Sequence, residues 1–177
     1  MIFKKTKISN TYIIKFLKKK DKRGFFEKQF CQKKFKKKNL NVDWKQINKS
    51  HNKKKYTFRG MHYQLKPYEE VKLVKCIKGQ LIDIVFDLRK NSKTYLKSQT
   101  FQLSEKKNQF LYIPKGVAHG YLTLTDNTEV LYYHSNNYMK KFSSGINIMD
   151  NRIIFKFKKK IKTISKKDKK LKFFNEL

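Results

Sequence analysis

The sequence contains little cysteine, proline, glycine or arginine, and it has no long apolar run. Among its 177 residues are only 2 Cys, 2 Pro and 6 Gly. Cys31 and Cys76 lie far apart without a CxxC spacing, which excludes a disulfide framework and favours free thiols in a reducing compartment. Lysines interrupt the apolar residues of the N-terminal MIFKKTKISNTYIIKFLKKK, so we expect neither a signal peptide nor a membrane span there. These features predict a cytoplasmic protein without a membrane partner.

Arginine is scarce although the chain is strongly basic, with a formal net charge of +32. Only Arg23, Arg59, Arg89 and Arg152 are present among 45 basic residues. Proteins that read base edges or grip phosphates depend on the guanidinium fork, which lysine lacks. We therefore interpret the lysine runs as solvated surface and do not expect nucleic acid as a specific partner. A basic nucleic-acid-binding protein remains the alternative to test.

A chain of 177 residues that is 38% hydrophobic and 15% aromatic can bury the core of one domain. The run from Leu81 to Leu88 alternates, with Asp83 and Asp87 on the opposite side from Ile84, which predicts a half-buried strand. Similar runs at 71–77, 98–103, 109–113, 120–124 and 129–134 are separated by turn-prone pieces. Short strands at this spacing predict an all-β fold, an antiparallel jelly-roll β-barrel.

The flanks of these strands predict shorter elements within the single domain 1–177. We expect an N-terminal extension over about 1–55, a barrel core over about 56–157 and a C-terminal helix over about 165–177. Within the extension, 25–31 favours an extra strand and 32–40 a short helix or loop. Ser165 is suited to cap the C-terminal helix, with Asp168 at its third position near the positive end of the dipole.

The candidate chemistry centres on RGMHYQ at 59–64 and IPKGVAHG at 113–120. His62 could act as a base, Arg59 and Lys72 could bind an anion, and His119 follows a turn that could bring it to the barrel mouth. Strict alternation places Arg59 and His62 on opposite faces unless the strand bulges or begins near Gly60. The paired histidines of metal-binding barrels are missing, so we expect no metal and no cofactor.

Several blocks, in order along almost the whole chain, carry a resemblance: DKRGFFEKQF (21–30), QINKS (46–50), FRGMHYQ (58–64), KLVKCIKGQLIDIVFDLRKNSKTY (72–95), LYIPKGVAHGYLTL (111–124), EVLYY (129–133) and SKKD (165–168). The chain resembles the dTDP-4-dehydrorhamnose 3,5-epimerase family of cupin-like jelly rolls. That resemblance implies a homodimeric epimerase that needs no metal. The enzyme would act on a nucleotide-linked 4-keto-6-deoxy sugar in deoxysugar and surface polysaccharide synthesis.

The resemblance also implies residue roles. His62 would remove a proton beside the ketone, Asp168 would orient His62, Lys72 would face the enolate oxygen, and Tyr132 would return a proton from the other face. Two purely structural interpretations stay open: Asp168 could serve only to cap its helix, and Tyr132 could be an ordinary core residue. Substrate contacts are implied for Arg23, which could reach across the dimer, and for Gln46, Arg59, His119, Tyr138 and Lys167.

Departures from the family pattern leave the substrate open. Lys28 and Ser143 stand where glutamates are expected, and Glu70 stands where a glutamine is expected before the KLV lysine. The changes spare the acid–base set. We therefore expect proton chemistry on an uncertain sugar, by a 3,5-epimerase, a 3-epimerase or a related keto-sugar isomerase. A non-catalytic nucleotide-sugar-binding barrel is the alternative.

Overall fold

The computed structural model describes residues 1–155 and 157–176, and strands dominate it. The strands are β1 (Ile2–Lys5), β2 (Tyr12–Lys15), β3 (Lys18–Asp21), β4 (Gly24–Glu27), β5 (Gln46–Asn52), β6 (Thr57–Gln64), β7 (Lys72–Lys78), β8 (Gln80–Asp87), β9 (Ser98–Ser104), β10 (Gln109–Ile113), β11 (Val117–Thr123), β12 (Thr128–His134), β13 (Ser143–Gly145) and β14 (Thr163–Ile164). The helices are α1 (Gln32–Lys36) and α2 (Lys166–Lys169), with 3-10 turns at Lys140–Phe142 and Phe174–Glu176. In the described part of the chain, no helix is long and apolar enough to cross a membrane.

Two sheets enclose the core. The first sheet has the order β1-β2-β10-β7-β12-β5, and the second has the order β13-β6-β11-β8-β9, with β14 parallel to β6. Their inner faces meet in a cluster that includes Val74 and Val130 of the first sheet and Leu81, Val85 and Tyr121 of the second. The predicted jelly roll is confirmed, and its two sheets form opposite walls of one interior.

Strand β8 differs from the prediction of a half-buried strand. Asp83 and Asp87 are fully buried, as are Ile84 and Phe86 on the other face. The second face is covered by a cluster of the C-terminal segment that includes Ile148. Buried carboxylates are tolerated here because each has a partner of complementary charge, as described below.

Part of the predicted N-terminal extension belongs to the barrel itself. Strand β2 pairs with β10 and β5 pairs with β12, so β1, β2 and β5 complete the first sheet. Lysines interrupt these strands and hide their alternation in the sequence. The extra strand predicted at 25–31 is the shorter β4, whose hairpin with β3 leaves Phe25 and Phe26 exposed. The segment 32–40, predicted to be a short helix or loop, begins with α1, in which Phe35 is buried.

The predicted C-terminal helix is wrong in extent. Ser165 caps α2 by accepting a hydrogen bond from the Asp168 N–H at 3.0 Å, but the helix ends at Lys169. The Asn147 side-chain amide donates to the carbonyls of Lys169 and Leu171, groups that a helix end must otherwise satisfy. The chain therefore leaves the helix early. Lys156 of the predicted barrel core and Leu177 of the predicted helix lie outside the described residues.

Candidate active site

A β-bulge in β6 turns two site residues toward one cavity. The register against β11 shifts around Gly60 and Met61, so that strict alternation is broken between Arg59 and His62. Gly60 has φ +129, and a Cβ there would lie 2.4 Å from the Cα of Gly120. Only glycine fits this close approach. As the sequence required, both Arg59 and His62 line the cavity.

The cavity has a volume of about 570 Å³ and lies between the two sheets. Side chains of the second sheet and the segment around α2 form one wall, and β5, β7 and β12 of the first sheet form the other. Its lining includes Asn48, Ser50, Arg59, His62, Lys72, His119, Tyr121, Tyr132, His134, Lys167 and Asp168.

His62 and Asp168 form a carboxylate–imidazole pair on the second-sheet wall. His62 Nε2 lies 2.8 Å from Asp168 Oδ1, and the Gly60 N–H donates to Oδ2 at 3.2 Å. Burial alone would raise the pKa of Asp168, but the hydrogen bond and charge of His62 outweigh it and lower that pKa. An ionised carboxylate only accepts hydrogen bonds, so Nε2 carries a proton and Nδ1 is the free nitrogen of neutral His62.

Lys72 enters the cavity from the first sheet and reaches toward the second. Its Nζ lies 3.2 Å from Glu70 Oε1 and donates to the His62 carbonyl at 3.4 Å. The other oxygen of Glu70, Oε2, lies 2.7 Å from His134 Nδ1. Burial raises the pKa of Glu70, but His134 and Lys72 together lower it below its ordinary value. The ammonium of Lys72 is therefore held between Glu70 and the backbone of His62.

Tyr132 faces the cavity from β12, in the opposite sheet from His62. Its hydroxyl lies 3.2 Å from Ser50 Oγ, which also contacts the Tyr121 hydroxyl at 3.0 Å. Burial, together with the neighbouring Tyr121, raises the pKa of Tyr132 well above its ordinary value. The phenol therefore keeps its proton at neutral pH and is suited to act as an acid.

Two further lining residues, His119 and Arg59, each have a buried partner. His119 Nε2 lies 2.7 Å from Asp83 Oδ2, and burial raises the pKa of Asp83 despite the charge of His119. Arg59 Nε donates to Asn52 Oδ1 at 2.8 Å. Arg59 thus has a fixed stem, and His119 is held in one orientation.

The cavity of the single chain does not include three of the residues predicted to contact substrate. Arg23 is 91% exposed on the β3–β4 hairpin, where it pairs with Asp21. Gln46 and Tyr138 contact each other beyond the lining residues, with the Tyr138 N–H donating to Gln46 Oε1 at 3.1 Å. Lys167, by contrast, lines the cavity.

Several lining or supporting residues escaped the sequence analysis. Ser50 and Asn52 continue the alternation of Gln46 and Asn48 along β5, and that spacing could have indicated them. His134 follows Tyr132 by two residues and so lies on the same face of β12. The partners Asp83 and Glu70 lie 36 and 64 residues from their histidines, and no local pattern links them.

No group of three or more His, Cys, Asp or Glu side chains within 1–155 and 157–176 is arranged to hold a metal ion. The expectation that the protein needs no metal stays a prediction. The cavity instead offers a base, an acid and a cation, each held by its own partner.

A histidine and a tyrosine on opposite walls of one jelly-roll cavity, with a lysine in the same lining, are side chains of the kind that move protons at carbon in isomerases. A family model described as dTDP-4-dehydrorhamnose 3,5-epimerase matches residues 5–176. The chain belongs to this family and is an epimerase, as its resemblance predicted.

Individual relatives agree with that membership. A dTDP-4-dehydrorhamnose 3,5-epimerase of Shigella flexneri is 38% identical over 84% of this chain and 82% of its own length. The crystal structure of such an epimerase from Elizabethkingia anophelis NUHP1 superposes with a TM-score of 0.96 at 30% identity, covering 99% of this chain and 97% of that one. One from Bacillus anthracis, with TDP and PPi bound, gives a TM-score of 0.93 at 28% identity over 98% and 99%.

Proposed function

We propose that this epimerase acts on a dTDP-linked 4-keto-6-deoxy sugar and inverts C3, C5 or both through an enolate. The observation that carries the proposal is the placement of His62 and Tyr132 on opposite sheets around one cavity. Inverting a carbon requires a base on one face and a proton donor on the other. The TDP bound to the relative from Bacillus anthracis supports a thymidine nucleotide as the carrier.

The first step is removal of the proton beside the ketone by Nδ1 of His62. Asp168 holds the other ring nitrogen at 2.8 Å and stabilises the imidazolium that forms. A positioned base contributes about a hundred- to ten-thousand-fold to the rate. The C–H electrons move onto the ketone oxygen, which becomes an enolate.

The second requirement is stabilisation of that enolate, because a carbon beside a ketone is otherwise far too weak an acid for imidazole. Lys72 reaches the backbone carbonyl of His62 from the opposite sheet, so its ammonium lies beside the strand that carries the base. A preorganised cation in a buried site supplies the largest single contribution to such a step. We assign Lys72 to the enolate oxygen.

The final step is protonation of the same carbon from the opposite face by Tyr132. Its raised pKa keeps the phenol protonated until the enolate forms, and Ser50 fixes the hydroxyl. The carbon then carries its new hydrogen on the face away from His62. Solvent exchange afterwards returns a proton to Tyr132 and removes one from His62.

The remaining predicted residues are assigned to substrate binding. Arg59 and Lys167 offer charges suited to the diphosphate, and His119 offers a donor to the sugar. Tyr138 is 53% exposed beside Gln46, and an exposed ring at this rim is suited to stack on a base.

Arg23 fits the proposal only in an assembly. It lies on an exposed hairpin that carries Phe25 and Phe26 at 57% and 67% exposure. We propose that a homodimer of this single-domain chain buries the hairpin and brings Arg23 to the partner's cavity. A reducing cytoplasmic setting suits its free Cys31 and Cys76.

Hydrogen exchange tests the function directly. The protein is incubated in D2O with dTDP-4-keto-6-deoxyglucose, and the C3 and C5 protons are followed by NMR. We expect deuterium at one or both carbons, and the number of carbons exchanged distinguishes a 3,5-epimerase from a mono-epimerase. Absence of exchange in this and related nucleotide keto-sugars would overturn the proposal.

The variant His62→Ala should lose exchange by at least a hundredfold because the base is gone. Its folding should change little, since His62 is only partly buried. Circular dichroism and thermal unfolding check the fold. Exchange retained in a folded His62→Ala protein would show that another residue is the base.

A further inference from the structure

Glu70 divides its two oxygens between two basic side chains of the cavity wall. Oε1 lies 3.2 Å from Lys72 Nζ, and Oε2 lies 2.7 Å from His134 Nδ1. The side chains of Glu70 and Lys72 are each 9% exposed, and that of His134 is 15% exposed. At such burial, charges interact far more strongly than they do in water. The charge of each group therefore affects the other two.

The fold places His134 beside both groups that act on the enolate. His134 lies directly opposite Lys72 across the β12–β7 ladder. It also follows Tyr132 on the same face of β12, and the two rings stack with centroids 5.9 Å apart at 27°. His134 itself lines the cavity. Its imidazole therefore lies between the lysine and the acid.

The hydrogen bond to Glu70 decides which ring nitrogen is available to substrate. The pKa of Glu70 is lowered, because His134 and Lys72 outweigh the burial that would raise it, so the carboxylate is ionised at neutral pH. It can only accept, and His134 Nδ1 therefore carries the proton. In the described part of the chain Nε2 has no hydrogen-bond partner.

The same ionised carboxylate reduces what Lys72 can do. A buried Glu70–Lys72 pair has no net charge, and it stabilises a developing enolate less than a free ammonium does. If His134 is protonated, the three groups together carry one positive charge. If His134 is neutral, they carry none.

Other groups around His134 do not replace the positive charge that a protonated His134 would supply. On its own sheet, Gln46 of β5 lies opposite it and is neutral. Across the cavity, the imidazoles of His62 and His119 each have a carboxylate partner. The further cations of the lining are Lys49, Arg59 and Lys167.

We propose that protonated His134 is the second cation of the enolate-binding wall, and that Glu70 is the positioning residue that holds it against Lys72. This inference rests on the proposed function, since it concerns the same enolate. It adds a residue outside the expected acid–base set.

A pair of variants tests the proposal through the rate of C3 and C5 exchange. His134→Gln keeps a hydrogen-bonding side chain but removes the charge, and we expect kcat to fall about tenfold with little change in KM. Adding Glu70→Gln removes the charge that neutralises Lys72. The double variant Glu70→Gln/His134→Gln should therefore recover most of the lost rate.

The pH profile provides a second readout. Only the wild type has an imidazole at position 134, so the pH profile of its exchange should differ in shape from that of the double variant. A role in folding alone would leave the shape of the profile unchanged.

The chain offers a matched control on its surface. Glu129 likewise divides its oxygens between Lys49 at 3.3 Å and His51 at 3.5 Å, with His51 42% exposed. His51→Gln should leave kcat and the pH profile unchanged.

A double variant no faster than His134→Gln, in a folded protein whose wild type exchanges, would overturn the inference. Absence of exchange in the wild type would instead count against the proposed function. The two failures are thus distinguishable.

Discussion

At the scale of single residues, the ionisable groups of the cavity work in pairs. His62 pairs with Asp168, and His119 pairs with Asp83. Glu70 pairs with both Lys72 and His134. A carboxylate beside a histidine fixes which ring nitrogen carries the proton. The chemistry that each imidazole can perform is therefore set by a partner that is distant in sequence.

Asp168→Asn separates two roles of this residue. The substitution leaves the helix cap intact, because Ser165 accepts its hydrogen bond from the backbone N–H of Asp168. The negative charge that stabilises the His62 imidazolium is lost. We expect exchange to slow by about a hundredfold or more.

Ser165→Ala is the control for Asp168→Asn. It removes the cap, costing about 1 kcal/mol of stability, and leaves the carboxylate in place. If both variants slowed exchange equally, Asp168 would matter only through its helix.

Asp87 predicts a pH dependence of stability. It accepts two hydrogen bonds from the Arg89 side chain at 2.8 Å and one each from Ser92 and Thr94 at 2.6 Å. Burial raises its pKa, but these bonds outweigh burial and lower it below 3.8. Because the pKa of Asp87 is lower in the folded state, its ionised carboxylate stabilises the fold above the unfolded-state pKa of about 3.9. That stability is lost as the pH falls through the folded-state pKa.

Asp87→Asn should therefore lower the free energy of unfolding by about 3 kcal/mol at pH 7, because Arg89 loses its buried partner. The difference from wild type should shrink as the pH falls through the lowered folded-state pKa of Asp87, where the wild-type carboxylate also becomes protonated. Urea unfolding at several pH values measures it. A difference that stayed constant across that range would contradict the assignment.

Motifs predicted residues that lie in the cavity but not the partners that hold them. His62 and Tyr132 lie in recognisable blocks, and the structure places both in the cavity. The alternation predicts that Asp83 lies on a solvated face of β8, yet Asp83 is fully buried against His119. Alternation cannot distinguish a solvated polar face from a polar barrel interior, since both have period two.

At the scale of elements, the bulge in β6 shapes the site. The sequence indicated that Gly60 must break the alternation, and the register shift against β11 does so. The lysine-interrupted strands β1, β2 and β5 could not be seen locally, because their pairing with β10 and β12 is what defines them. The C-terminal helix was predicted too long because Asn147 competes for its carbonyls.

Gly60→Ala should both destabilise the protein and disable it. The new Cβ would lie 2.4 Å from the Cα of Gly120 and 2.8 Å from the His119 carbonyl oxygen, at φ +129. We expect a loss of about 3 kcal/mol or more, with exchange falling as His62 and Arg59 move.

Gly24→Ala is the matched control for Gly60→Ala. Gly24 has φ +132, but nothing lies within 4 Å of its added Cβ. It isolates backbone strain, which costs about 1–3 kcal/mol. Equal losses in the two variants would contradict the close approach of β6 and β11 as the cause.

At the scale of the whole molecule, the net charge of +32 and the two-walled cavity have separate roles. Diffuse surface lysine can attract an anionic nucleotide sugar over a distance, an effect that salt weakens. It cannot select the sugar. Selection and inversion depend on the cavity, because only there do the two sheets bring different groups to opposite faces of one carbon.

The central claim is that the second sheet supplies the base and the first sheet supplies the acid. The most direct test is Tyr132→Phe in D2O, with deuterium in recovered substrate and the yield of inverted sugar measured by NMR on the same sample. We predict that deuterium still enters the substrate from the His62 side, while inversion falls about a hundredfold or more. Inversion at the wild-type rate in Tyr132→Phe would contradict the claim.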